Sequence, residues 1–331
     1  MGSSTEEQKG YGSRLKEMTA VLKKHKIMQG LTPEKLRLIL EDLGPTYIKL
    51  GQIMSLHSDI LPEAYCEELM RLCSDVAPMP FEQVEEVIQD SFGCSWKEIF
   101  ASMEEKPLGA ASIAQVHRAV LKNGEQVVVK VQRKGIYKLM SRDIALLHRA
   151  VRLVPPVSIK ELVDFDMVLD EMWAVAQEEM NFLTEASNME EFARCNKDVA
   201  FVATPALYRE YTTSHVLVME YIDGFQVDDK KILTEHGYDL NEIGSKLVDN
   251  YIRQVMEDGF FHADPHPGNV RIRDGKIVWI DMGMMGRLTE RDKKQLGKAV
   301  EGIATNDIGK IQDAVLALGE FRGEPDTAKL Y

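Results

Sequence analysis

No uncharged apolar run in this chain approaches the ~18 residues that a helical membrane span requires, and no signal peptide opens it. A basic excess is missing too. The 53 acidic against 40 basic residues give a formal charge of −13, which argues against non-specific nucleic-acid binding, since that needs a basic surface. The same charge repels anionic lipid unless basic residues cluster locally. Cysteine is scarce: Cys66, Cys73, Cys94 and Cys195 show no C-x-x-C spacing and no paired His at zinc-finger distance. They read as reduced thiols rather than a disulfide framework or metal site. Internal repeats and low-complexity tracts are absent. What remains is ordinary globular material, 44% apolar and 28% charged over 331 residues, enough for about two domains.

Four stretches follow one another. Residues 1–31 are polar and Lys-rich, expected to be a leader: a frayed tail or one loose helix. From 32 to 99 the pattern is helical. Thr32-Pro33 reads as N-cap and first-turn proline, and Leu36, Ile39, Leu40 and Leu43 recur at i, i+3, i+4, i+7. Gly44-Pro45 stops that helix. A second carries Leu50, Ile53, Met54 and His57, and a third, after Pro62, carries Cys66, Leu69, Met70 and Cys73. Ala77-Pro-Met-Pro80 reads as a linker before a helix from Phe81 to Phe92. From 100 to 222 strands enter. Residues 113–121 and 126–131 flank Asn123-Gly124, a strong hairpin signal. Residues 133–195 are mostly helical, interrupted at Pro155-Pro156, with a stripe of Phe165, Val168, Leu169, Met172, Ala176 and Leu183. Two further strands are expected at 202–207 and 214–219. In 223–331 come a helix at 240–258, a second hairpin turning at Asp274-Gly275 and a helical segment at 289–318. The end at Leu330-Tyr331 follows no closing element and suggests a trimmed terminus.

His262-Ala-Asp-Pro-His-Pro-Gly-Asn269, with Asp281-Met-Gly283 a little further on, carries the chemistry. Asp264 and Asn269 stand five residues apart, and Asp281 follows an apolar strand, with Gly283 permitting a sharp turn. Protein kinases use such a set to supply a carboxylate near the attacking oxygen and two metal-binding groups. Phosphoryl transfer needs positioning and charge neutralisation more than covalent help. His262 and His266 are i, i+4, but Pro265 and Pro267 prevent the helix that a metal pair needs, so His262 is expected to be a buried imidazole organising the loop. Lys130 ends a Val-rich strand where a kinase has its phosphate-contacting lysine; alone it would read as an exposed edge-strand lysine. Where a kinase has G-x-G-x-x-G this chain has Pro107-Leu-Gly-Ala-Ala-Ser-Ile-Ala-Gln115, whose alanines disfavour positive φ. Ser112 there bonds phosphate or caps a turn. Only Met284-Met-Gly-Arg-Leu288 separates Gly283 from a helix capped by Thr289, leaving little room for a peptide-docking platform. Lys49 and Gln52 share one side of a helix, with Gly51 letting another surface come close.

In order, Lys49-x-Gly51-Gln52, Gly109-Ala-Ala-Ser112 with Gln115-Val-His117, Lys130, Glu179 through Asn188, His262-Ala-Asp264 to Asn269, and Asp281-x-Gly283 resemble the UbiB/AarF family of atypical kinases. The resemblance implies an α+β, protein-kinase-like bilobal fold with an N-terminal helical extension carrying the K-x-G-Q motif. The extension would be 32–99, the N-lobe with a long helical insert 100–222, and a truncated C-lobe 223–331. It implies binding of ATP and Mg²⁺, and ATPase activity rather than ready protein phosphorylation. It also implies a link to isoprenoid-quinone or lipid metabolism, membrane-bound biosynthetic partners, and a soluble chain at the cytoplasmic face of a membrane. By matching, Lys130 contacts the α/β-phosphates, paired with Glu185 or else Glu179, and Gly109, Ala110, Ala111 and Ser112 form the nucleotide loop. Glu220 to Ile222 form the adenine hinge with Met219 behind it. Asp264 is the base-like carboxylate, Asn269 and Asp281 hold Mg²⁺, and Lys49 and Gln52 plug the place where a peptide would lie. Three positions depart from the family: Gly109 for Ala, Asn181 for the Asp of E-x-D, and Met282 for the Phe of D-F-G. The alternatives are a nucleotide-binding pseudokinase scaffold and a Ser/Thr protein kinase, the latter disfavoured by the short segment after Gly283.

Overall fold

Helix-start chemistry after residue 31 acts as read: Thr32 accepts a bond from the Lys35 amide (3.2 Å) at the head of helix Pro33–Leu43, whose Ile39, Leu40 and Leu43 are buried. The structure, a computed structural model, describes residues 3–55, 61–72, 76–153 and 165–319. His57, Cys73 and Pro155-Pro156 fall outside that set. The chain packs as two units, Met1–Thr184 with Tyr208–Tyr221, and Glu185–Leu207 with Ile222–Tyr331.

In the first unit, Gly44 (φ 94°) ends one helix and Pro45–Met54 begins the next. A Cβ on Gly51 would lie 2.3 Å from Leu72 and 2.7 Å from Leu40, so glycine is what lets these elements meet. Cys66 and Leu69 are buried in helix Glu63–Leu69. Met70, read as part of that stripe, is 63% exposed, because the helix stops at Leu69. Leu183 likewise leaves its stripe and is exposed, since Phe165–Glu179 ends and Phe182–Cys195 starts a new phase.

The expected frayed tail or loose helix at residues 1–31 needs correction. Ser3–Lys24 is helical and anchored by a buried ion pair. Arg14 donates from Nε (2.8 Å) and Nη2 (2.6 Å) to the two oxygens of Asp143, and from Nη2 to the Leu43 carbonyl (2.7 Å). Thr46 adds a bond to Asp143 (3.0 Å).

Five strands form the sheet of this unit, with Phe100–Met103, Ala114–Leu121, Gln126–Gln132 and Val216–Glu220 in that spatial order and Gly109–Ala110 also on Ala114–Leu121. One face is core: Val127, Val129, Val131, Val216 and Val218 pack with Val84 and Ile88 of helix Phe81–Phe92. Because side chains alternate along a strand, the cross-strand rows Val116–Lys130–Leu217 and Arg118–Val128–Met219 share the other face.

The segment read as a linker is instead a pinned strap. Met79 is buried; its amide donates to Gln115 Oε1 (2.8 Å), and its carbonyl accepts from Gln115 Nε2 (3.3 Å). Gln115 Nε2 also donates to His117 Nε2 (2.8 Å), whose Nδ1 donates to the Glu104 carbonyl (2.7 Å). That pattern needs a neutral ring, and burial pushes the His117 pKa down, outweighing the Glu104 bond.

In the second unit a four-stranded sheet runs Val202–Ala203, Lys276–Trp279, Val270–Arg273, Phe225–Gln226. The strand expected at 202–207 stops after Ala203, with Pro205, which has no N–H, close behind. Asp274 (φ 52°) and Gly275 (φ 74°) make the hairpin turn with both residues left-handed. Helix Leu240–Arg253 ends in a wider π turn, Gln254–Asp258. Met285–Arg287 pairs with Phe260–His262. The single terminal helix expected is two, Glu290–Thr305 and Ile308–Leu318, broken at Asn306 (φ 54°). Among the described residues no helix is long and apolar enough to cross a membrane.

Two outcomes are expected. Arg14→Ala strands the buried Asp143 carboxylate and should cost about 3–5 kcal/mol in denaturant melts; a loss below about 1 kcal/mol would show the pair is not buried in solution. For His117, a depressed folded pKa means the unfolded chain binds the extra proton, so its contribution is full above about pH 6.5 and is lost as pH falls below it. His117→Gln should flatten the decline of unfolding free energy between about pH 7 and pH 5; an unchanged slope would refute the assignment.

Candidate active site

The second unit brings its candidate residues together around one imidazole. Gln254, buried at the start of the π turn, accepts from the His262 amide (3.0 Å). Asp264 N–H donates to His262 Nδ1 (3.1 Å), so that nitrogen carries no proton and Nε2 donates to the Asp281 carbonyl (2.6 Å). His262 is 1% exposed and stacks on Trp279 with ring centroids 4.9 Å apart. Burial lowers its pKa despite the Asp281 bond, as a neutral ring requires. Behind it runs a buried amide chain: Trp279 Nε1 (3.0 Å) and Gln254 Nε2 (2.8 Å) donate to Asn250, which donates to Asn196 (2.7 Å).

Asp264 itself is exposed. Its carbonyl accepts from the His266 amide (2.7 Å) and from Asn269 Nδ2 (3.1 Å), closing the proline-stiffened loop. Asn269 therefore has its side-chain oxygen, not its nitrogen, left to offer. The Asp281 carboxylate accepts from the Gly283 amide (2.8 Å). Glu185, 4% exposed, has Oε2 3.8 Å from where a Cβ on Gly283 would stand, so Asp281, Gly283 and Glu185 are neighbours. Met282 is buried, and its carbonyl accepts from Asn188 (3.0 Å).

In the first unit Lys130 lies on the sheet face opposite the valine core, its Nζ 5.5 Å from the Phe182 ring centroid. Val128 and Met219 are neighbours on that face, and Glu220 ends the same strand as Met219. Gly109, Ala110, Ala111 and Ser112 begin the turn into strand Ala114–Leu121. Lys49 is buried and ion-paired with Glu179. Gln52 is half-buried, one turn further along that helix. Asn181, where the family has Asp, accepts from the Leu183 amide (3.2 Å) and so caps helix Phe182–Cys195. Ile222 is the first residue of the second unit after Tyr221.

The sequence of residues 71–315 matches the model of the ABC1 atypical kinase-like domain. The chain is also 38% identical over 300 residues to an uncharacterized protein in the hydrogenase 1 5' region of Clostridium pasteurianum, covering 91% of this chain and 57% of that one. This chain belongs to the ABC1 atypical kinase-like family. Protein ACTIVITY OF BC1 COMPLEX KINASE 8, chloroplastic, of Arabidopsis thaliana is 36% identical over 93% of this chain and 41% of its own length. The chain thus spans about half the length of these curated relatives. The complex structure of Rv3197-erythromycin from Mycobacterium tuberculosis is similar in fold, with a TM-score of 0.57, 25% identity, and coverage of 87% of this chain and 73% of that one. The ABC1 match agrees with the UbiB/AarF resemblance and with the α+β, kinase-like architecture.

Asn250, Gln254 and Asn188 support this candidate site from behind, and their polarity gives no sign in sequence that they are buried. Gly109 is a milder departure than its sequence suggests. Its φ is not positive, and no atom lies within 4 Å of a Cβ placed on it. Gly109→Ala should therefore raise stability by about 0.4–1 kcal/mol through the unfolded chain's lost freedom; urea melts showing a decrease would contradict the extended geometry.

Proposed function

We propose that this chain binds Mg·ATP and acts as an atypical kinase or ATPase of the UbiB/AarF type. The observation that carries this reading is the single neutral imidazole of His262, which ties the backbone of Asp264 to that of Asp281. The donor chemistry fits magnesium, which takes hard oxygen ligands and is usually held by one or two protein groups together with substrate phosphates. Asn269 offers an amide oxygen and Asp281 a carboxylate. Among the described residues no group of three or more His, Cys, Asp or Glu gathers to hold a metal.

Bound magnesium would neutralise charge on the phosphates. Lys130 would supply a further cation to the α/β-phosphates. Val128 and Met219 offer an apolar bed for the adenine, with the backbone at Glu220 and Ile222 as its polar edge. Asp264, exposed yet fixed at its amide, would accept the proton of an attacking hydroxyl or water. Glu185 would orient Lys130. Lys49, neutralised by Glu179, and Gln52 would cover the site rather than react. Residues 285–287 are drawn into a strand and Thr289 caps the next helix, which favours an acceptor other than an extended peptide. A setting in isoprenoid-quinone or lipid metabolism at a membrane is proposed from the family resemblance.

Thermal-shift titration with Mg·ATP tests the reading. A stabilisation near 2.7 kcal/mol is expected at about 100 times Kd. Asp264→Asn should keep that shift while hydrolysis falls by about 10²–10⁴-fold, and Asp281→Asn should lose the magnesium dependence of the shift. Absence of any shift at millimolar nucleotide would sink the proposal. Hydrolysis assayed with and without anionic vesicles tests the membrane setting.

A further inference from the structure

The turn at residues 109–114 contains no left-handed residue, so it lacks the means by which glycine-rich loops aim their amides. Its carbonyls are held from outside instead. Ala110 O accepts from the Val76 amide (2.9 Å), Ala111 O from Arg133 Nε (2.7 Å), and Ile113 O from the Arg133 amide (2.8 Å). The far side of the same guanidinium, Nη2, donates to Ala77 O (2.9 Å) in the strap. Gln115, paired twice with Met79, fastens that strap two residues further on. Burial lowers the Arg133 pKa, in keeping with a cation whose water has been exchanged for carbonyl oxygens. Ala111 N–H closes the turn onto Ala114 O (2.8 Å), whereas Ser112 N–H donates to no backbone carbonyl among the described residues.

A trans peptide plane decides where that amide points. Ala111 C=O and Ser112 N–H belong to one planar unit and are directed oppositely. Fixing the carbonyl on Arg133 therefore turns the Ser112 amide away from the strap. We infer that Arg133 is a positioning residue of the nucleotide loop, bracing Ala111 against the strap so that the Ser112 amide is presented to an anionic phosphate oxygen. In this design a half-buried arginine outside the loop does what glycine conformations do within a glycine-rich one. The inference rests on the Mg·ATP reading above.

Binding of Mg·ATP and of adenosine to the chain and to its Arg133→Ala and Arg133→Lys variants separates the possibilities, with amide hydrogen exchange read at 76–79 and 109–114. Arg133→Ala should weaken Mg·ATP about tenfold, as loss of a charge-assisted brace allows, and leave adenosine within about twofold. Exchange in both segments should rise. Arg133→Lys, a point donor unable to bridge two carbonyls, should fall between the two and serves if the alanine variant folds poorly. Mg·ATP affinity equal to the parent's in both variants overturns the inference, as does an equal loss for ATP and adenosine, which would mark a merely structural role. A parent chain that binds neither compound removes the nucleotide reading itself, and Arg133's role with it.

Discussion

A neutral imidazole is the constraint on which the candidate site depends. His262 accepts at Nδ1 from Asp264 and donates at Nε2 to Asp281, so two carboxylate-bearing segments distant in sequence share one ring. Neither bond tolerates exchange of donor for acceptor. The ring is kept neutral by being 1% exposed and stacked on Trp279, and kept in place by Gln254 holding its backbone amide. Buried amides cost free energy unless fully paired, and here Asn250, Asn196 and Gln254 pair one another and the Trp279 indole. The π turn at Gln254–Asp258 lies where helix regularity gives way to this need.

The first unit reaches order by a related device. Its sheet sets Lys130 on the face opposite the valine core, and its alanine-rich turn is held by groups outside itself. His117, Gln115 and Arg133 each spend their hydrogen-bonding capacity on backbone or on one another, tying residues 76–79 to the loop. A strap fixed at this many points cannot serve as a flexible hinge. The buried Arg14–Asp143 pair secures the N-terminal helix in the same manner, with Leu43 and Thr46 completing the coordination.

Periodicity and punctuation made much of this legible beforehand. Apolar spacing marked Pro33–Leu43 and Phe81–Phe92, and Asn123-Gly124 and Asp274-Gly275 marked both hairpins, because those signals are local and their energies are decided within a few residues. Errors arose where burial contradicted polarity. Along Leu240–Arg253 the amide of Asn250 is buried while Val248 and Ile252 are 56% and 53% exposed, and Gln254 just beyond is fully covered. Composition alone would place them the other way round. Arg14, within the stretch read as a polar leader, is likewise only 5% exposed.

The sequence by itself determined the residue types and their order: Lys130, Asp264, Asn269 and Asp281, a short segment after Gly283, a loop with alanine in place of glycine. These suffice for the family, and the function proposed follows from them because phosphoryl transfer asks for particular oxygen and nitrogen groups at particular chain separations. Only the tertiary structure decided which polar groups are removed from water and whom they then bond. The His262 tautomer, the Lys49–Glu179 pair, the cap made by Asn181 and the brace at Arg133 all follow from that choice. Hydrogen bonds gain their directing force only once water is gone, and the exclusion of water depends on residues far away in the chain.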